Sequence, residues 1–220
     1  MPSPRPRRLS ATNSPRGSRV GRSTSDTRAA QPAAKPAGRT PGKSQLSADT
    51  WQTITRSAAE TERLGRVTGQ ALRGGETLAL YGELGSGKTA FVRGLAVGLG
   101  APSRAVSSPT FVLVHEYPGR LRLVHADFYR IEQESDLRHL GLPDYQDSLT
   151  VLAIEWAEKA GAELPQDRIE IRLGHVTATS RSIVMQATGP SARACLTRIA
   201  TPAKTARNPA SAARRERPRR

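Results

Sequence analysis

Eight consecutive residues, Gly82, Glu83, Leu84, Gly85, Ser86, Gly87, Lys88 and Thr89, follow the pattern G-x-x-x-x-G-K-[ST]. Each position has a task in holding a triphosphate. Glycines let backbone N–H groups turn toward phosphate oxygens, Lys88 brings a cation to the outer phosphates, and the Thr89 hydroxyl can ligate Mg²⁺. A helix opening at Lys88 adds its N-terminal dipole. At average residue usage such an octamer arises by accident in about 1% of chains of this length. Its setting, between an apolar run and a helical pattern, makes an accident rarer still. The motif predicts nucleotide triphosphate binding. No Asn-Lys-x-Asp segment, the usual guanine reader, occurs in the chain, so ATP is the expected nucleotide and Mg²⁺ its expected companion.

Two acids stand where such a site needs them. Ligands of open α/β sheets bind outside the carboxyl ends of the strands. Asp127 closes the run 121–126 and Glu155 closes the run 151–154. Glu155 takes the position of a Walker-B acid, which holds Mg²⁺ directly or through water; the alternative for either residue is a surface acid capping the next helix. Phe128, Tyr129 and Trp156 are expected to pack, and His125, with no second ligand nearby in sequence, to be structural. The cations Arg104 and Arg130 fit either phosphate or a surface acid.

The elements that must carry these groups follow from pattern. Ser57-Ala58-Ala59-Glu60 has capping-box spacing, and Leu64, Val67 and Ala71 follow at helical intervals, which predicts a helix over 57–72 ended by Gly74-Gly75. Residues 77–81 read as a buried strand entering the glycine-rich turn, and 90–99 as a helix closed by Gly100. The runs 110–117 and 121–126 flank Pro118-Gly119 and predict an antiparallel hairpin. Residues 133–140 read as a polar helix and 141–145 as a loop. Val151-Leu152-Ala153-Ile154 is too short for a helix and predicts a central strand, while 169–173 and 182–187 alternate as two late strands.

Charge is distributed unevenly over the 220 residues. The net charge is +15, yet residues 1–50 carry 10 basic and 2 acidic side chains and residues 190–220 carry 9 and 1, which leaves 15 basic against 16 acidic between them. All nine aromatic residues lie between Trp51 and Trp156. Segments with no aromatics and few large aliphatics bury too little apolar surface to offset the entropy of ordering, so both ends read as disordered. The expected organisation is a basic tail over 1–48, one domain over 49–189 and a second basic tail over 190–220. The single cysteine, Cys195, excludes an internal disulfide, and no run approaches the roughly 18 apolar residues of a membrane span. A cytoplasmic location and no membrane partner are expected. The Arg- and Ser-rich start shares its composition with organelle transit peptides, but the matching basic C-terminus argues for a general basic-tail habit.

The segments GELGSGKTAFVRGLAVGLG at 82–100, SSPTFVLVHEY at 107–117, HADFYRI at 125–131, LGLPDY at 140–145 and AIEWAEKAG at 153–161 resemble, in this order, the motifs of the TsaE family. The resemblance covers about 55–185 and leaves both tails outside it. It implies an α/β fold, a three-layer P-loop NTPase-like domain with a mixed sheet. It implies a small ATPase needed for threonylcarbamoyladenosine modification of tRNA, which acts on a TsaD–TsaB transferase pair and so meets tRNA through that complex. By position, Thr89 and Glu155 would bind Mg²⁺, Thr110 would contact the γ-phosphate like a switch residue, Asp127 would help position water and Arg181 would be a late nucleotide contact.

Two other functions fit parts of the chain. A small-molecule kinase uses the same loop, but it needs a mobile cationic lid, and 133–150 offers only Arg138 as a cation. A nucleic-acid-binding module could use the basic tails on phosphate backbones, without base selectivity since no aromatic residue interrupts them.

Overall fold

The computed structural model describes residues 45–47, 49–102, 113–132, 137 and 140–206. These residues form one eight-stranded sheet. In chain order its strands are β1 (Gln45–Leu46), β2 (Thr50–Thr55), β3 (Thr77–Tyr81), β4 (Val114–Tyr117), β5 (Arg122–Asp127), β6 (Thr150–Glu155), β7 (Ile169–His175) and β8 (Arg181–Ala187). Across the sheet they run β1-β2-β8-β7-β3-β6-β5-β4. The middle four, β7, β3, β6 and β5, are parallel, and antiparallel strands extend both sides. This is the expected mixed sheet, with the expected hairpin as β4 and β5. Strands buried on both faces need apolar runs, and β3 and β6 supply them with Leu78, Ala79 and Leu80 and with Val151 to Ile154.

Three helices, α1 (Ala58–Ala71), α2 (Lys88–Gly98) and α3 (Pro190–Ala206), cover one face. The other face is covered by irregular chain and short 3₁₀ turns, through Phe128, Ile131, Leu142, Ala157, Ala160 and Leu164. The start of α1 follows its sequence signal. Glu60 N–H donates to Ser57 Oγ at 3.1 Å, and the Glu60 carboxylate accepts from Arg56 N–H at 2.8 Å, one residue before the cap. Its last carbonyls have distant partners: Arg120 donates to the carbonyls of Gly69 and Leu72, and Arg198 to that of Ala71.

Helices α1 and α2 touch backbone to backbone. A Cβ at Gly65 would lie 2.0 Å from Phe91 O, and one at Gly94 only 1.8 Å from Glu62 O. No side chain fits between them, which fixes the depth of α2, the helix that begins in the glycine-rich loop.

One boundary needs correction. The region 190–220 was expected to be a disordered tail, yet 190–206 is α3, and its Ala192, Cys195, Leu196, Ile199 and Ala200 are buried in the main core. Their spacing of three and four residues is that of a helix face. Asp167 caps the helix from the chain before β7, accepting from the N–H groups of Ser191 and Ala192 at 2.9 and 2.7 Å. The polar helix expected over 133–140 lies almost wholly outside the described residues. Among the described residues no helix is long and apolar enough to cross a membrane.

Candidate functional site

The loop 82–87 leaves the carboxyl end of β3 and turns into α2. Its geometry demands glycine. Gly82 has φ +141°, and a Cβ there would lie 2.3 Å from Leu173 O on β7; Gly87, at φ +101°, precedes the helix and offers no side chain to cap it. The first N–H groups of α2 therefore keep their capacity for an anion. Ser86 lies at the buried floor of the loop, and the Leu84 side chain stands out from it into solvent.

Beside the loop, the parallel register of β5 and β6 sets Asp127 opposite Glu155, both buried. Thr89, in the first turn of α2, donates its hydroxyl to Glu155 Oε2 at 2.9 Å. The other carboxylate oxygen, Oε1, lies 2.9 Å from His125 Nε2. Asp127 Oδ1 accepts from Tyr129 N–H at 3.0 Å, which bends the chain after β5. Lys88 folds over its own loop, donating to Gly82 O at 2.6 Å and Glu83 O at 3.1 Å. Burial pushes its ammonium below the ordinary lysine value, while the carboxylates of Glu155, Glu158 and Asp127 oppose that shift.

Trp156 closes the arrangement. It follows Glu155 with φ +58°, a left-handed conformation that costs a bulky residue roughly 1–3 kcal/mol. This turn places its indole ring 3.8 Å from Lys88 Nζ and 5.0 Å from the Tyr129 ring. The result is a cleft of about 280 Å³ lined by Gly85, Lys88, Thr89, Asp127, Glu155 and Trp156 among others. Arg181, at the start of β8, reaches the loop's outer side and donates to Gly85 O at 3.1 Å.

Oxygen donors that converge in this way suit a hard cation such as Mg²⁺, which takes one or two protein ligands and completes its shell with phosphate and water. Thr89 Oγ1 and Glu155 Oε2 are the pair that would hold it. The structure thus brings together the sequence-predicted Gly82 to Thr89, Asp127 and Glu155, and sets Arg181 against the loop. Thr110 lies outside the described residues.

The family described as "Threonylcarbamoyl adenosine biosynthesis protein TsaE" matches residues 55–183, a span that contains the loop, both acids and Arg181. The chain belongs to the TsaE family. The protein named tRNA threonylcarbamoyladenosine biosynthesis protein TsaE from Treponema pallidum is 39% identical over 132 residues, which cover 60% of this chain and 97% of that one. The protein of the same name from Bacillus subtilis is 39% identical over 140 residues, covering 63% and 85%. The crystal structure of Bacillus subtilis YdiB superposes with a TM-score of 0.59 at 28% identity, over 73% of this chain and 97% of that one. A P-loop NTPase-like α/β domain is therefore the fold of this TsaE-family chain.

Two side chains in the site were expected only to pack or support. Trp156 lies over Lys88, and His125 bonds Glu155. Spacing held a signal for the second: His125 and Asp127, two apart on a strand, share a face, and the next strand ends in an acid.

Proposed function

We propose that this chain is the Mg²⁺-dependent, ATP-hydrolysing subunit required for threonylcarbamoyladenosine modification of tRNA, acting in the cytoplasm on a TsaD–TsaB transferase complex. The observation that carries the catalytic half of this reading is the 2.9 Å bond from Thr89 to Glu155. It joins the end of the phosphate loop to the end of a neighbouring strand, inside the cleft that also holds Lys88 and Asp127. The pathway half is supported by family membership and by the names of the relatives.

Each side chain has a task under this reading. Lys88 exchanges its two carbonyl bonds for the outer phosphates of ATP. Thr89 and Glu155 would hold Mg²⁺, which would supply positive charge to the transferring phosphoryl oxygens. Asp127 orients water, Arg181 steadies the loop near the nucleotide, and Thr110 contacts the γ-phosphate. Two arginines of the region 107–130, Arg120 and Arg122, are occupied elsewhere. Arg120 serves the end of α1, and Arg122 pairs with Glu116 at 3.2 Å and Asp147 at 2.8 Å. Slow hydrolysis by the isolated chain, with a partner that orders the loop around Thr110 or adds charge near the γ-phosphate, is the expectation that follows from this reading. The basic residues of 1–48 and of the C-terminal end add salt-dependent, base-independent contact with RNA.

The test is steady-state phosphate release with and without a purified TsaD–TsaB pair, in wild type and Thr110→Ala. The pair should stimulate turnover at least severalfold, and Thr110→Ala should weaken stimulation more than ATP binding. Fast hydrolysis indifferent to the pair, or ATP-dependent phosphorylation of a metabolite, contradicts the proposal.

A further inference from the structure

The site described above leaves one buried polar group without a task. His125 lies in β5 opposite Ala153 of β6, and its ring reaches diagonally along the sheet to Glu155, two residues beyond Ala153. The side chain is fully buried. A carboxylate only accepts, so Nε2 carries the hydrogen of the 2.9 Å bond. Nδ1 is itself buried with no hydrogen-bond partner. The polar bonding of this imidazole is therefore spent on Glu155. An aliphatic or aromatic residue would fill the same space without desolvating a ring nitrogen.

The two oxygens of Glu155 are held from different places. Oε2 is held by Thr89, at the mouth of the phosphate loop, which must rearrange around a nucleotide; Oε1 is held by His125, from the interior of a parallel sheet. The second bond joins two neighbouring strands and does not pass through the loop. Preorganised groups of this kind lower the barrier because they need no reorganisation at the moment of reaction.

We propose that His125 is a positioning residue for ATP hydrolysis: its Nε2–H fixes the Glu155 carboxylate in the orientation that would receive Mg²⁺. The proposal rests on the reading of Glu155 given under Proposed function. Outer partners of metal ligands, when removed, typically cost on the order of 10- to 100-fold in metal affinity or activity.

The experiment uses the full chain and compares His125→Phe, which keeps bulk and removes the donor, with His125→Gln, which keeps a donor at similar reach. Both are also made in a Glu155→Gln background. ATP affinity, single-turnover hydrolysis and thermal midpoint are measured for each, and the ring nitrogens of His125 are observed by NMR in the nucleotide-free wild type. The expected results are an Nε2–H tautomer and a fall in the hydrolysis rate of on the order of 10- to 100-fold for His125→Phe. ATP affinity should change less than about twofold. His125→Gln should recover part of the rate, and neither change should slow the Glu155→Gln protein further. If His125→Phe does not fold, the His125→Gln pair with and without Glu155→Gln decides by the same non-additivity. An Nδ1–H tautomer, an unchanged rate, or an equal further loss in the Glu155→Gln background overturns the proposal. Wild-type hydrolysis by Glu155→Gln alone overturns the reading of Glu155 beneath it.

Discussion

The two ends of the parallel strands solve opposite problems with similar residues. At the amino end, charges are closed off in pairs. Arg198 meets Glu76 at 2.8 Å, Arg168 meets Glu170 at 2.6 Å, Arg122 meets Asp147 at 2.8 Å, and Asp167 caps α3. At the carboxyl end, Glu155 is answered by a hydroxyl and an imidazole, and Lys88 is spent on backbone carbonyls and an indole face. Each amino-end carboxylate meets a guanidinium or a helix N-terminus, whereas Glu155 meets a hydroxyl and an imidazole and faces the Lys88 ammonium across the cleft. The amino end also contains a cavity of about 430 Å³, larger than the nucleotide cleft, lined by Arg73, Glu76, Asp167 and Arg198. Size does not distinguish the two ends; the partners of their charged groups do.

The comparison can be broken most severely by removing α3, which packs on one sheet face and lines the amino-end cavity with Ser191, Ala192 and Arg198. Fully burying Leu196 and Ile199 contributes about 1.5–3 kcal/mol each. A chain ending at residue 189 should lose at least about 3 kcal/mol, or roughly 10 °C in thermal midpoint. A chain ending at 206 should match the full-length protein, and calorimetry of the two truncations checks this. Lys88→Ala should raise the Kd for ATP on the order of 10²-fold through lost charge-assisted bonds, with the thermal midpoint of the nucleotide-free protein kept. Titration calorimetry reads the first and a melt the second.

Arg198→Ala reverses that signature. It removes bonds to Ala71 O and Glu76, and should cost about 1–3 kcal/mol of stability with ATP affinity unchanged. The smallest effect concerns Cys195. Burial pushes its thiol up to about 12, so near neutral pH it is protonated and inert. Iodoacetamide should leave the native protein unlabelled at pH 8 and modify it fully in urea.

What could be read from the sequence was local. The strand, glycine loop and helix over 77–98 are contiguous, and an apolar run, turn chemistry and helical spacing specify them. β6 betrayed itself as an apolar run. α3 was hidden because its buried stripe of Ala192, Cys195, Leu196, Ile199 and Ala200 has only two large residues and merges into an arginine-rich terminus, so composition averaged over 190–220 conceals the period. β2 was hidden by its threonines. Thr53 and Thr55 are buried beside Trp51 in strict alternation, a pattern that hydrophobicity does not register. The site shows the same division. Loop and acids were visible, whereas the bond between His125 and Glu155 joins residues 30 apart through the parallel register of two strands.

The central claim is that the carboxyl-end acid Glu155 works on the reaction rather than on binding or folding. Glu155→Gln, measured for ATP affinity and for single-turnover hydrolysis at saturating Mg²⁺, tests it most directly. Hydrolysis should fall on the order of 10²-fold while the Kd for ATP moves by less than about threefold. Equal losses in affinity and rate, or a rate equal to wild type, would contradict it.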